Sequence, residues 1–238
     1  MSRSWQLPRA VPLLLLAALI PGKTVAASIP DYVRHALAQF TGDAPKGWAY
    51  TLTTHNGKET TVERYDPSQP PGRQWMLRGR NGRAPTAAEL EQYAKFKARS
   101  APAVARASFD KSDIDIGAVQ LLHEDANRAE FDGRFRNDNG DKMLAHLGLR
   151  LTVTKQPAAV ESFRLRLLAP FSPILGVKIQ KLEVELTNSP PAADRPALPL
   201  HSHAQFQGRL FFIKTIEETE EISYSDYLQT TSSPPPSK

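Results

Sequence analysis

Four arginines fall within eleven positions of one segment rich in proline and glycine: Arg73, Arg78, Arg80 and Arg83. A guanidinium group binds phosphate or carboxylate through paired hydrogen bonds, so this cluster could form a rim that holds an anion or a lipid head group. The same spacing also fits a basic loop that contacts only water. The two interpretations differ in where the folded chain places the four side chains.

A second set of residues has the types that metal sites and hydrolases use. His201 and His203 are separated by one residue, which would put both imidazoles on one face of a strand. Asp113 and Asp115 have the same spacing and resemble a pair of catalytic acids without a visible partner. The acidic stretch 138–141 lacks the spacing of an EF-hand and is interpreted as a turn.

The sequence contains no motif of a catalytic nucleophile. It has no Gly-x-Ser-x-Gly, no cysteine and no glycine-rich phosphate loop after a strand. We therefore expect no catalytic residue, no metal site and no cofactor. A hydrolase of an unrecognised kind stays an alternative, and it would bring Asp113, Asp115 or His201 into one cleft.

Residues 1–27 have the pattern of a secretory signal peptide. Arg3 and Arg9 precede an apolar run at 10–20, and small residues end at Ala27. The apolar run is shorter than the roughly 20 residues that a membrane span needs. We expect cleavage near Ala27, a periplasmic location and a processed chain that does not span the membrane.

The charge and composition of the rest of the chain favour one ordinary domain. The full chain has a formal net charge of +5, and residues 1–27 contribute three basic residues and no acid, which leaves 27 basic against 25 acidic residues. So small a net charge does not favour nucleic acid as a partner. Without cysteine the chain forms no disulfide. Residues 28–228 are expected to form a single β-rich domain, and the proline-rich tail 229–238 to be disordered.

Two segments have the apolar spacing of a helix. The first is 28–40, where Asp31 is the expected N-terminal cap. The second is 85–101, where Thr86 is the expected N-cap and Glu89 its capping-box partner. The second helix is inserted between strand-like segments.

Apolar residues alternate with polar ones in most of the remaining chain, which is typical of strands with one buried face. Asn56-Gly57 is a strong hairpin signal between the first two. The strand-like segments are 48–54, 59–65, 74–79, 119–125, 127–135, 147–155, 161–168, 177–186, 202–216 and 220–227.

Two of these segments depart from simple alternation. In 177–186 the apolar phase shifts at Gln180-Lys181, which predicts a β-bulge that restores one apolar face. The segment 202–216 is unusually long and is expected to be one strand with a kink at Gly208.

Together these patterns predict a mainly β (α+β) protein. We expect a single curved antiparallel sheet, a half-barrel with the N-terminal helix and the inserted helix as lids over its apolar face. Alternation does not encode strand order, so a two-sheet sandwich stays open. The candidate lining of an apolar ligand site is Trp75, Leu77, Phe131, Phe135, Leu149, Leu151, Phe163, Leu165, Leu167 and Val184.

The arginine-rich segment also resembles a set of uncharacterised exported bacterial proteins. They share Y/F-D-P-S, then G-x-x-W-x-L, then G-x-x-P-T-x-x-E. The matching residues here are Tyr65, Asp66, Pro67, Ser68, Gly72, Trp75, Leu77, Gly82, Pro85, Thr86 and Glu89.

The predicted order of elements resembles that of the periplasmic lipoprotein carriers (Lol-type). These are incomplete β-barrels that hold acyl chains under helical lids. The resemblance implies a similar fold and an amphipathic ligand, and it implies no catalytic residue.

We therefore expect an exported, non-catalytic protein that binds a lipid, an acyl chain or another amphipathic ligand on the apolar face of its sheet. The alternative is an interaction or scaffold protein of the cell envelope, with a protein partner and a filled core in place of a ligand cavity.

Overall fold

The computed structural model describes residues 29–40, 46–99, 111–136, 143–211 and 213–230 of the chain. The predicted signal peptide and residues 231–238 of the predicted tail lie outside these ranges. Within them, no helix is both long enough and apolar enough to cross a membrane.

Ten strands form one antiparallel sheet, and two helices accompany it. Strands β3 and β4 are its free edges, and the order from edge to edge is β3-β2-β1-β10-β9-β8-β7-β6-β5-β4. This confirms the predicted class, a mainly β protein with one sheet that is not closed into a barrel. The elements are α1 (Asp31–Gln39), β1 (Trp48–His55), β2 (Thr60–Tyr65), β3 (Trp75–Arg80), α2 (Ala87–Arg99), β4 (Gln120–Glu124), β5 (Arg128–Arg134), β6 (Leu147–Lys155), β7 (Ala158–Leu167), β8 (Val177–Asn188), β9 (Pro199–Leu210) and β10 (Lys214–Gln229).

The sheet consists of two meanders joined side by side. Strands β1 to β3 form the first and β4 to β10 the second. They meet where β10 pairs with β1, from Trp48 opposite Gln229 to His55 opposite Glu221. The β3–β4 connection, which contains α2, leads from one edge of the sheet to the other. The pairing of the first strand with the last therefore unites the two halves.

A β-bulge in β8 keeps the apolar side chains on one face. Ile179 is opposite Gly208 and Lys181 is opposite Gln207, so Gln180 is the extra residue. This confirms the bulge predicted at Gln180-Lys181. The cross-strand register then places the apolar residues of the strands on either side of β8 on the same face.

Helix α1 lies on this apolar face over β6 and β7. Val33, Ala36 and Leu37 are buried against the sheet. The prediction that Asp31 caps the helix is wrong, because Asp31 is itself the first helical residue and no side chain caps the first turn. Its carboxylate instead forms an ion pair with Arg34 in that turn.

Helix α2 begins with the predicted capping box. The amide of Glu89 donates to Oγ1 of Thr86 at 3.3 Å, and the amide of Thr86 donates to Oε2 of Glu89 at 2.7 Å. The helix contacts β2 and β3 through Tyr93 and Lys97. Both helices therefore cover the apolar face, at different ends of the strand order.

The segment 202–216, predicted as one strand kinked at Gly208, is two strands joined by a turn. Strand β9 ends at Leu210, which is opposite Lys214, the first residue of β10. Phe211 adopts the left-handed conformation with φ 49°. In turns, the residue in that conformation is usually Gly or Asn. The apolar run around Phe211 continues without either residue, so the sequence carries no turn signal there.

Strand β10 and its contacts extend into the first two residues of the predicted tail 229–238. Gln229 is the last residue of β10. The amide of Thr230 donates to the carbonyl oxygen of Gly47 at 2.7 Å. The described contacts with the sheet therefore extend to Thr230.

Candidate functional site on the apolar face

The apolar face is covered by two separate clusters of buried side chains. The first lies under α1 and joins it to β5, β6 and β7, and Leu182 and Val184 in the middle of β8 pack against its edge. The second consists of Tyr50, Leu52, Ile222 and Tyr224 on β1 and β10, with rings of β2 and β3 packed against it. The two clusters lie on the same face, and β9 and the first half of β10 separate them.

Most of the predicted lining residues belong to the first cluster. Leu167 and Val184 are partly buried at its margin, Trp75 is partly buried in the second cluster, and Leu77 is buried on β3. On the α1 side the face is therefore filled by protein. The six predicted lining residues that are at most 5% exposed there are Phe131, Phe135, Leu149, Leu151, Phe163 and Leu165.

A strip of half-buried apolar residues lies between the clusters. Phe206 of β9 is opposite Leu182 of β8, and Ala204 is opposite Val184. No helix among the described residues packs extensively on β9. Strand β9 lies between β8 and β10, so these two strands are two strand spacings apart, or about 10 Å. We call these four residues the apolar strip.

Sequence reasoning included only Val184 of this strip. Ala204, Phe206 and Gly208 do alternate on one face, and that signal was available in the segment 202–216. Alternation does not give the order of the strands, and that order places β9 outside the part of the sheet that α1 covers.

The charged groups beside the apolar strip are acidic. Glu218 and Glu220 of β10 are opposite Phe206 and Ala204, so their side chains start from the same face. Both glutamates are exposed. An amphipathic molecule on the strip would meet negative charge along the β10 side.

The second cluster is an aromatic one, and a buried carboxylate connects it to α2. Glu63 is 9% exposed and accepts a hydrogen bond from the Tyr93 hydroxyl at 2.5 Å. The Nζ atom of Lys97 lies 2.8 Å from the same carboxylate and 4.3 Å from the ring centroid of Trp75. Burial, together with the charge and hydrogen bond of Glu63, raises the pKa of Tyr93. These contacts hold α2 against the sheet.

The four arginines of the candidate anion rim do not act as a group of free cations. Arg83 forms two hydrogen bonds with the Glu89 carboxylate, at 2.7 and 2.8 Å. Arg80 forms an ion pair with Glu59. Arg73 and Arg78 have exposed side chains. An anion bound by the first pair would compete with carboxylates that are already in place.

The contacts of Glu89 predict that the start of α2 is sensitive to acid. Its hydrogen bonds with Arg83 and with Thr86 lower the pKa of Glu89 to about 2. A carboxyl group whose pKa is lowered in the folded state stabilises that state at pH values above its ordinary pKa. That contribution is lost as the pH falls towards 2. We expect the protection of α2 amides, which is the intrinsic exchange rate at each pH divided by the measured rate, to fall several-fold over this pH range, as measured by mass spectrometry.

The matched comparison is E89Q against E91Q. The E89Q variant should show reduced protection of the α2 amides already at neutral pH, because its amide cannot form the ion pair with Arg83. Glu91 contacts only the exposed Lys95 at i+4, so E91Q should behave as the wild type. Equal exchange in E89Q and the wild type at neutral pH would contradict the role of Glu89.

The other candidate polar residues lie apart from the apolar strip. His201 and His203 are on the opposite face of β9, and Nδ1 of His203 lies 3.8 Å from Glu221. Asp115 accepts a hydrogen bond from the amide of Gly117 at 3.1 Å and so caps a short 3-10 helix. Among the residues that the structure describes, no three His, Cys, Asp or Glu side chains come together as a metal site would require.

A small recess near the β6–β7 turn has a volume of about 100 Å³. Arg128 and Glu161, an ion pair at 2.7 Å, lie at its wall. Sites for drug-sized ligands are roughly 300 Å³ or larger, so this recess is too small for a lipid.

Comparison of the chain with protein-family models, with curated proteins and with solved structures gave no match. The apolar strip and its acidic side are therefore the observations on which a function is proposed.

Proposed function

We propose that the chain is an exported, non-catalytic protein that binds an amphipathic ligand, such as a lipid or an acyl chain, on the apolar face of its sheet. The ligand lies along the apolar strip between α1 and the aromatic cluster. The proposal of export is supported by the signal-peptide pattern of residues 1–27.

The observation that carries this proposal is the half-buried apolar strip itself. A sheet with one apolar face normally has that face covered by another layer. Here α1 covers β6 and β7 and α2 contacts β2 and β3. Leu182 and Val184 of β8 pack against the edge of the α1 cluster, and together with Ala204 and Phe206 of β9 they stay only partly buried. An acyl chain lying on Leu182 and Phe206 would remove that apolar surface from water.

The acidic side of the strip favours a particular class of head group. Glu218 and Glu220 lie next to Phe206 and Ala204 and repel a carboxylate or phosphate placed beside them. A neutral or amine-bearing head group meets no such repulsion. We therefore propose that the ligand carries a neutral or cationic head.

Phe206→Glu tests the strip directly. We expect this variant to bind a fluorescent acyl probe with a neutral head group at least about tenfold more weakly, because a carboxylate would replace the ring that contacts the chain. Native mass spectrometry and lipid extraction of the wild type should show a copurifying lipid, and that lipid should be reduced in the variant.

Gln207→Glu is the matched control, since it places the same carboxylate on the next residue of β9 but on the opposite face. Its affinity for the probe should equal that of the wild type. Competition by an alkyl amine, alcohol and carboxylate of one chain length tests the head group, and the carboxylate should compete least. No copurifying lipid together with no probe binding by the wild type would refute the proposal.

The filled half of the apolar face supports a second candidate function. Phe131, Leu151 and Phe163 are at most 3% exposed in the cluster that packs against α1. An envelope interaction or scaffold protein needs only such a filled core, and it would have a protein partner in place of a lipid. Failure of the wild type to bind any of the three alkyl compounds would favour this alternative.

A further inference from the structure

Four large apolar side chains lie together in solvent at one end of the sheet. Leu175 is 97% exposed and Ile213 is 91% exposed, while Phe211 and Ile174 are exposed by 72% and 66%. They belong to the β7–β8 loop and to the β9–β10 turn. Both lie at the same end of the strands, since Val177 at the start of β8 is opposite Leu210 at the end of β9. We call these four residues the apolar tip.

The two loops of the apolar tip form one unit. The amide of Phe211 donates to the carbonyl oxygen of Gly176 at 2.6 Å. A Cβ atom at Gly176 would lie 2.9 Å from the Phe211 ring, so only glycine fits beneath it. Phe211 also holds the left-handed conformation, which is strained for a bulky residue. The fold thus fixes an aromatic ring in water at some conformational cost.

Three basic residues surround the base of the apolar tip. Lys178 and Arg209 are directly opposite each other on β8 and β9, and Lys214 is the first residue of β10. All three are exposed, and none forms an ion pair with another described residue. Like charges directly opposite in a sheet destabilise it, so Lys178 and Arg209 do not stabilise the fold by themselves. We call these residues the basic collar.

The apolar tip also projects away from the rest of the sheet. His55, the last residue of β1, is opposite Glu221, seven residues along β10 from Lys214. At about 3.3 Å per residue, the β9–β10 hairpin extends roughly 23 Å beyond β1. The tip can therefore reach a flat surface before the remainder of the sheet does.

We propose that the apolar tip and the basic collar dock the protein on an anionic lipid bilayer. Apolar side chains that enter the acyl region below a ring of lysine and arginine are the combination that holds interfacial segments on anionic membranes. The four tip residues supply the apolar part, and the collar meets the head groups. A second copy of the chain would carry the same collar and would be repelled by it.

The acidic residues of β10 lie too far from the bilayer to oppose this docking strongly. Glu217 is three residues farther from the turn than Lys214, about 10 Å along the strand. That distance is about one Debye length at physiological salt, so its repulsion of anionic lipid is largely screened.

Vesicle flotation tests the proposal. Wild type and variants are purified in parallel from cells that export them, so all share the N-terminus that processing leaves. We expect flotation with vesicles of phosphatidylcholine and phosphatidylglycerol, and little with phosphatidylcholine alone. Binding should weaken as salt is added, because the collar contributes through charge.

Two double variants test the apolar tip and the basic collar separately. Leu175→Ser with Ile213→Ser should lower the vesicle partition coefficient by about tenfold or more. Lys178→Glu with Arg209→Glu should lower binding to anionic vesicles by a similar factor. The controls are Leu228→Ser, an exposed leucine at the far end of β10, and Lys58→Glu in the β1–β2 turn, and both should float as the wild type does.

The outcome separates this inference from the proposed function. Phe206→Glu should float normally even though it loses acyl-probe binding, because the apolar strip is not part of the tip. The docking proposal is overturned if the wild type does not float with anionic vesicles, or if the tip variant floats like the wild type. It is also overturned if the tip variant instead loses concentration-dependent self-association in sedimentation, which would assign the tip to a contact between copies.

Discussion

Leu151→Ala is expected to lower the free energy of unfolding by about 2 to 5 kcal/mol, the range for a leucine truncated in a packed core. Leu151 is 1% exposed and lies between two aromatic rings, opposite Phe131 on β5 and opposite Phe163 on β7. Since small domains are stable by roughly 5 to 15 kcal/mol, the loss is a large part of the total. Urea unfolding followed by circular dichroism measures it.

Leu121→Ala is the control for this change. Leu121 is the partner of Phe131 on the other side, in edge strand β4, and it is 51% exposed. The same truncation there should cost less than about 1 kcal/mol. If Leu151→Ala cost no more than Leu121→Ala, the face under α1 would be loosely packed, and an open ligand cavity would lie there in place of a filled core.

Val33→Asp is expected to lower the free energy of unfolding by about 3 kcal/mol or more. The Val33 side chain is 0% exposed, on the face of α1 that packs on the sheet, so the new carboxylate would be buried without a cation or a hydrogen-bond donor. An uncompensated buried charge costs several kcal/mol, whichever way the chain relaxes. Urea unfolding together with amide exchange of α1 measures the result.

His35→Asp is the control for Val33→Asp. His35 lies on the exposed side of the same helix, so its replacement adds the same charge in water and should change stability by about 0.5 kcal/mol or less. The two variants also show whether α1 is a fixed part of the core or a detachable cover. Fast exchange of α1 in Val33→Asp with unchanged stability of the sheet would mean that the helix leaves the sheet without unfolding it.

Leu151→Ala, Val33→Asp and Phe206→Glu affect different parts of one apolar face. Leu151 and Val33 lie in the filled part under α1, and Phe206 lies in the apolar strip that α1 does not cover. We expect the first two to change stability and the third to change ligand binding. This division follows from burial alone, since all three side chains are on the same face.

The sequence determined the elements and the one-sided character of the strands. The capping box of Thr86 and Glu89, the hairpin at Asn56-Gly57 and the bulge at Gln180 each depend on residues near one another in the chain. The period of the apolar residues also fixes which side chains share a face, because that depends only on backbone geometry.

The sequence-based predictions were wrong where a residue did not follow its usual conformational preference. The turn after Leu210 contains a phenylalanine in the left-handed conformation, so 202–216 has the pattern of a continuous strand. Asp31 has the right type for a helix cap but stands one residue too late, and its carboxylate pairs with Arg34. In both places a contact within the fold overrode the usual preference.

Only the tertiary structure decided which strands are neighbours and which parts of the apolar face are covered. The pairing of β10 with β1 puts β9 in the middle of the sheet, between the strands that α1 covers and those that α2 contacts. That order leaves Phe206 half-buried and Phe131 buried. It also brings Leu175 and Ile213 together at one end of the sheet. Alternation assigns a residue to a face, but its burial depends on what packs against that face, and those contacts join residues far apart in the chain.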